Sequence, residues 1–139
     1  MMCLPEEILE SIRRHAREAY REEACGAIYG RCTHKSKEAL RAEPLPNARE
    51  GDRRRRFLIT STDYRRAEAR AAEHGMDLLG FYHSHPDHPA YPSSYDLEHA
   101  FPSFSYVIVS VREGEPGDVR SFVLTEDRSA FGEEELETT

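Results

Sequence analysis

The sequence predicts one α/β or α+β domain in which helices and strands mix around a single sheet. Three observations lead there. Two segments, Pro5 to Tyr20 and residues 62–74, carry apolar residues at helical spacing. Short runs rich in β-branched and aromatic residues lie between and after them, such as CGAIYGRC at 25–32 and FSYVIVSV at 104–111. The chain has 139 residues, close to the size of one domain, with no internal repeat and no linker, so 1–139 reads as a single unit.

The first helix follows from Ile8, Ile12, Ala16 and Tyr20, which recur every four residues as an apolar stripe. Pro5 suits its first position, and Glu6 and Glu7 suit the positive end of its dipole. Strands are expected at 25–32 and 38–43, then a turn-rich charged loop over 44–56 and a short strand at 57–59. Ser61, Thr62 and Asp63 offer capping oxygens to a helix that ends at Gly75, with Tyr64, Ala67 and Ala71 facing inward. Asp77 to Tyr82 reads as a strand, 93–100 as a short helix, and 104–111 and 119–124 as further strands. The acidic tail GEEELETT is expected to fray.

Composition narrows the function classes. The net charge of −7 argues against a general nucleic-acid binder, whose affinity rests on a basic surface. No stretch approaches the roughly 20 apolar residues of a membrane span. The beginning MMCLPEEILE lacks the basic and apolar regions of a signal peptide, so a cytoplasmic protein is expected. Three widely spaced cysteines, Cys3, Cys25 and Cys32, suit reduced thiols rather than a disulfide framework.

The densest chemistry is GFYHSHPDHPAYPSSYD, Gly80 to Asp96. In a strand, residues two apart share a face, so His83 and His85 aim two imidazoles at one point while Ser84 faces away. A metal pair and a pair of hydrogen-bonded histidines both fit that pattern. Pro92-Ser93 reads as a helix entry with Ser93 as N-cap, and Asp96, three positions on, shares its face. A plain capping box accounts equally for that second pair. Taken together, two imidazoles and one carboxylate form a three-ligand set for Zn2+ that leaves a fourth position for water. A hydrolase built on such a centre needs a further carboxylate to move the proton. The chain has no HExxH helix to supply one.

His83-Ser84-His85, seven residues, Ser93, two residues and Asp96 resemble the signature of the JAMM metalloproteases, the MPN or Mov34 domain family. Glu23, three residues before Gly26 in REEACGAIYG, is similar to the family's other motif. Asn47, then Phe57 and Ile59, the 62–74 helix leading into GFYHSHP, and YVIVSV extend the resemblance over roughly residues 5–125, closest to the small stand-alone prokaryotic members. The resemblance implies a cytidine-deaminase-like α/β fold, a curved mixed sheet flanked by helices. It implies Zn2+ on His83, His85 and Asp96, Glu23 as general acid and base, and Ser93 as oxyanion donor. It also implies hydrolysis after the C-terminal Gly-Gly of a ubiquitin-like or sulfur-carrier protein, whose extended tail adds to a sheet edge near the metal. Two rivals stand beside this: a non-catalytic zinc-containing MPN interaction module, with a homodimer as one option, and a zinc hydrolase of a small amide.

Neighbouring residues carry less. The spacing to Gly26 favours Glu23 over Glu22. His88 is expected as an exposed loop residue, and His15, His34, His74 and His99 as surface or helix residues. Cys25 lacks the cationic surroundings of a nucleophile and reads as a small buried thiol. The Arg53–Arg56 run reads as a solvated loop, with contact to an acidic partner as the alternative.

Overall fold

The structure, a computed structural model, describes residues 1–46 and 59–139. Asn47, the Arg53–Arg56 run, and most of the 44–56 loop and of the 57–59 strand lie outside the described residues. The chain order is β1 (Met2–Leu4), α1 (Glu6–Ala19), β2 (Cys25–Cys32), β3 (Lys37–Leu45), α2 (Ser61–Glu73), β4 (Asp77–Pro86), α3 (Ser94–Glu98), β5 (Ser105–Arg112), β6 (Glu115–Leu124), β7 (Phe131–Glu134) and β8 (Leu136–Thr138).

The eight described strands form one mixed sheet in the order β7-β6-β5-β4-β2-β3-β1-β8. β4 lies at its centre, antiparallel to β2 and parallel to β5. The two outermost strands, β7 and β8, are separated in sequence by Glu135 alone, so the sheet curves until its edges nearly meet. The tail therefore does not fray as expected. Phe131 packs edge-on against Tyr106 and Phe122, and Leu136 packs against the core on the α1 side. These two anchors alternate with the glutamates that the sequence reading took as a mark of disorder. β1 was likewise missed, being three residues long.

Each helix covers one face. Leu9, Ile12 and Ala16 of α1 bury against Ile28, Tyr82, Val107 and Val109. Ala67 and Ala71 of α2 bury against Ala27, Tyr29, Phe81 and Tyr106 on the opposite face. The period of two along β4 sends Tyr82 to one cluster and Phe81 to the other. In α1 the stripe differs from the expected one: Leu9 is buried, while Ile8 and Tyr20 are only partly so. A strict four-residue row drifts by about 40° per step around a helix of 3.6 residues per turn, so its ends leave the contact face. Pro5 is the N-cap of α1 rather than its first helical residue.

α2 is capped by Thr60, not by the three residues after it. The Thr60 side chain accepts from the Asp63 N–H at 3.1 Å, and Asp63 accepts in return from the Thr60 N–H at 3.2 Å. β4 runs on past Tyr82 to Pro86, so both motif histidines stand on the strand itself. No helix among the described residues is long and apolar enough to cross a membrane.

Candidate functional site

The C-terminal end of β4 builds the site. Its pairing with β5, His83 opposite Ile108 and His85 opposite Ser110, holds the backbone straight through the motif. Both imidazoles then stand on the α2 face of the sheet, with their Nε2 atoms 3.2 Å apart. His83 is 1% exposed and His85 7%. Burial drives His83 towards its neutral form, against the pull of the Asp96 carboxylate.

The Nδ1 of His85 lies 2.9 Å from the carbonyl oxygen of Pro89. A carbonyl only accepts, so Nδ1 donates to the loop, and Nε2 is the ring nitrogen turned towards Asp96 and Glu23. The loop that supplies this carbonyl is held at several points. Ser110 Oγ donates to the His88 carbonyl at 2.6 Å. Ala90 is fully buried against Ile108 and Phe122. Asp87, at φ +57°, accepts from the Glu113 N–H at 2.8 Å and from the Tyr20 hydroxyl at 2.7 Å. The Glu113 N–H first, and then the Tyr20 hydroxyl, hold the Asp87 carboxyl below its ordinary range. Ser110 and Asp87 were not singled out in the sequence, and Tyr20 was read only as part of the apolar stripe of α1. The aspartate directly after His-Ser-His-Pro was the available signal, because aspartate tolerates positive φ.

α3 brings the carboxylate. Ser93 Oγ accepts from the Asp96 N–H at 3.1 Å, and Asp96 Oδ2 accepts from the Ser93 N–H at 2.8 Å. The capping box named as the alternative reading is therefore present. The same Oδ2 also lies 3.2 Å from His85 Nε2 and 3.4 Å from His83 Nε2, so capping and approach to the histidines are one arrangement rather than rivals. Burial opposes ionisation of Asp96, but the two rings and the Ser93 N–H outweigh it and hold the carboxyl well below the usual carboxylate range.

The strand register brings in the second carboxylate. Cys25 pairs with His83 in the antiparallel β2–β4 ladder, so two steps further Glu23 stands opposite His85 on the same face. Glu23 is 3% exposed, and its Oε1 lies 3.7 Å from His85 Nε2. Glu22 is exposed, as the spacing argument expected. A side chain at Gly26 would collide with the Tyr82 ring and the Glu43 carbonyl, which explains a glycine three residues after the glutamate.

The donor set fits a cation. Glu23, His83 and His85 can each turn a ligand atom to within 4.8 Å of the others. Around His85 Nε2 gather Asp96 Oδ2 and Glu23 Oε1, at 3.2 and 3.7 Å. With Nδ1 of His85 engaged as donor, the neutral ring offers Nε2 as an acceptor beside two carboxylate oxygens. Such a buried group is stable only with a positive charge among its members, either a proton on an imidazole or a bound cation. Asp96 Oδ2 stands beside that group, within 3.4 Å of both imidazoles.

A hollow lined by Ile59, Phe81, Tyr95, His99, Phe101 and Tyr106 borders His83 and Asp96. His88 and His99 are exposed, in line with expectation. His15 is a helix residue, as expected, half-buried on α1 with Nδ1 2.6 Å from the Tyr82 hydroxyl, and burial lowers its pKa. Burial, aided by the charge of Glu23, pushes the Cys25 thiol up to about 12, so it is inert at neutral pH.

Over residues 5–125 the chain matches the family described as Prok-JAB, prokaryotic homologs of the JAB domain. It is 32% identical to a probable TtuB-protein conjugate cleaving protease of Thermus thermophilus, over 91% of this chain and 78% of that one. It is 28% identical to the CysO-cysteine peptidase of Mycobacterium tuberculosis, over 91% and 84% respectively. A solved JAB1/MPN domain protein from Archaeoglobus fulgidus is similar at a TM-score of 0.62, covering 99% of this chain and 97% of that one. Their identity is 21%, so that likeness is one of fold.

Proposed function

The chain belongs to the prokaryotic JAB family and is a JAB-type peptidase, and from that premise we propose that it hydrolyses the bond after the C-terminal Gly-Gly of a ubiquitin-like or sulfur-carrier protein. The substrate class rests on two relatives, a probable TtuB-protein conjugate cleaving protease and a CysO-cysteine peptidase. The chemistry rests on one observation, a buried Glu23, His83 and His85 group able to hold a metal ion, with Asp96 Oδ2 within 3.4 Å of both imidazoles.

In this reading His83, His85 and Asp96 hold Zn2+, and Glu23 is kept for proton transfer. Asp96 suits the ligand role because its carboxyl stays ionised and the α3 capping box fixes its direction. When bound, zinc supplies a Lewis acid to the scissile carbonyl and the attacking water. Glu23 takes a proton from that water and passes it to the leaving amine, a transfer for which a carboxylate at the rim of the ligand set is well placed. Ser93 Oγ already accepts from the Asp96 N–H and keeps its own O–H free to donate to the developing oxyanion. Two glycines before the scissile bond allow the tail an extended path close to the protein backbone.

The test is metal content of the purified chain, with cleavage of a Gly-Gly-linked carrier fusion by the wild type and by Glu23→Gln. One zinc per chain in both, with turnover lost only in the variant, is expected. A zinc-loaded wild type that leaves every Gly-Gly carrier intact would overturn the substrate class, and a chain that takes up no metal would overturn the ligand set.

A further inference from the structure

Ser84 is the one residue of the His-Ser-His motif that the proposed chemistry leaves without a part, although it is 1% exposed on a face turned from the site. Its surroundings are specific. Ser84 N donates to the Ala24 carbonyl at 3.0 Å, and the Ala24 N–H donates to Ser84 Oγ at 2.8 Å. Ala24 and Ser84 stand in the same register as the Cys25–His83 pair, which is the last regular pair of the β2–β4 ladder. In a regular ladder the Ala24 N–H would reach the backbone carbonyl opposite. Here the Ser84 hydroxyl takes it instead. The ladder is thereby carried one step further by a side chain, at the point where β2 begins.

Glu23 is the next residue. Its own carbonyl is joined to the Ala24 nitrogen that Ser84 Oγ holds, so it adjoins a residue anchored at both N–H and carbonyl, and its side chain is cast onto the face of His85, where Oε1 comes within 3.7 Å of Nε2. One strand thus carries both imidazoles and, between them, the hydroxyl that holds the base-bearing segment at a set distance. We propose that Ser84 is a positioning residue: by accepting the Ala24 N–H it fixes the Glu23 carboxylate relative to the His83–His85 pair. The inference rests on the reading of Glu23 as the proton-transfer group given above.

The experiment uses the full chain loaded with zinc. Backbone amide exchange is read at Ala24 in the wild type, in Ser84→Ala and in Ser84→Thr, beside zinc content and steady-state kinetics on the Gly-Gly carrier fusion. The wild-type Ala24 amide exchanges slowly. In Ser84→Ala it exchanges faster, kcat falls by about 10- to 100-fold as for other groups that orient a site residue from behind, KM is unchanged, and one zinc per chain remains. Ser84→Thr, which keeps the hydroxyl, restores slow exchange and kcat together.

Three results overturn the inference. One is a wild-type Ala24 amide that exchanges as fast as an exposed one. Another is a Ser84→Ala protein with fast exchange and full kcat. The third is loss of zinc from Ser84→Ala, which would place the effect in the ligands rather than in Glu23. Should Ser84→Ala fail to fold, the wild-type amide and Ser84→Thr decide the matter, since both exist as folded protein whenever the hydrogen bond is compatible with the fold. Failure of the functional reading is separate, because it shows in the wild type as absent zinc or absent turnover while the exchange measurement stands.

Discussion

His83 is buried and held neutral, and Asp96 beside it is held ionised. Both shifts point the same way with pH. A histidine whose folded pKa lies below its ordinary 6.5 binds its proton more readily in the unfolded chain, so its contribution to stability is lost as pH falls below about that value. A carboxylate held below its ordinary 3.8 loses its contribution as pH falls through the acid range beneath that value. The metal-free protein is therefore expected to lose stability steadily from about pH 6.5 downward. Urea denaturation at stepped pH measures this, and a midpoint that rises on acidification would contradict it. Gly26 is a second constraint at this scale. Any side chain there meets the Tyr82 ring and the Glu43 backbone, so Gly26→Ala is expected to cost about 1–3 kcal/mol, an overpacking penalty visible in the melting temperature. An unchanged melting temperature would show that β2 can shift to make room.

α3 joins two tasks that sequence reasoning had set against each other. Its five residues bury little besides Asp96, so its position depends heavily on its cap. Ser93→Ala is expected to cost about 1 kcal/mol of stability and, with the hydroxyl gone from the proposed oxyanion site, to lower kcat by about 100-fold or more. Ser93→Gly separates the two effects. Glycine at an N-cap costs only a few tenths of a kcal/mol, so stability should nearly return while the rate does not. Recovery of the rate with glycine would remove Ser93 from the chemistry. The loop between β4 and α3 works at the same scale. Its Pro89 carbonyl sets the His85 tautomer, and it is held in place by Ser110, Asp87 and the packing of Ala90.

Across the whole molecule, β7 and β8 cover the two edges of the sheet. Removing residues 131–139 would expose Phe122 and Tyr106 and uncover the edges of β6 and β1. Loss of the partly buried Phe131 contact alone is worth about 1–2 kcal/mol, and bare edges invite pairing between chains. The shortened chain is expected to unfold at lower urea and to scatter light at concentrations where the full chain does not. A truncated chain as stable and as monodisperse as the full one would mean that the closure of the sheet is dispensable.

What could be read from the sequence was what depends on local period and spacing. The strand at 25–32, the two long helices and the shared face of His83 and His85 follow from repeats of two and 3.6 residues. The preference for Glu23 over Glu22 came from the distance to Gly26 in the family's motif, and of the two Glu23 is the buried one. What depended on contact between distant segments was not legible. The Thr60 cap, the burial of Leu9, the Tyr20–Asp87 bond across 67 residues and the ordered tail are all decided by which surfaces meet. The site shows the same division. Spacing put His83 with His85 and Ser93 with Asp96, and the resemblance to the JAMM motifs joined these pairs to Glu23. Only the β2–β4 register and the α3 capping box bring the two carboxylates within 3.2 to 3.7 Å of one imidazole nitrogen. Spacing along a strand or helix is set by its own backbone geometry, whereas convergence of four side chains from three elements is set by how those elements pack.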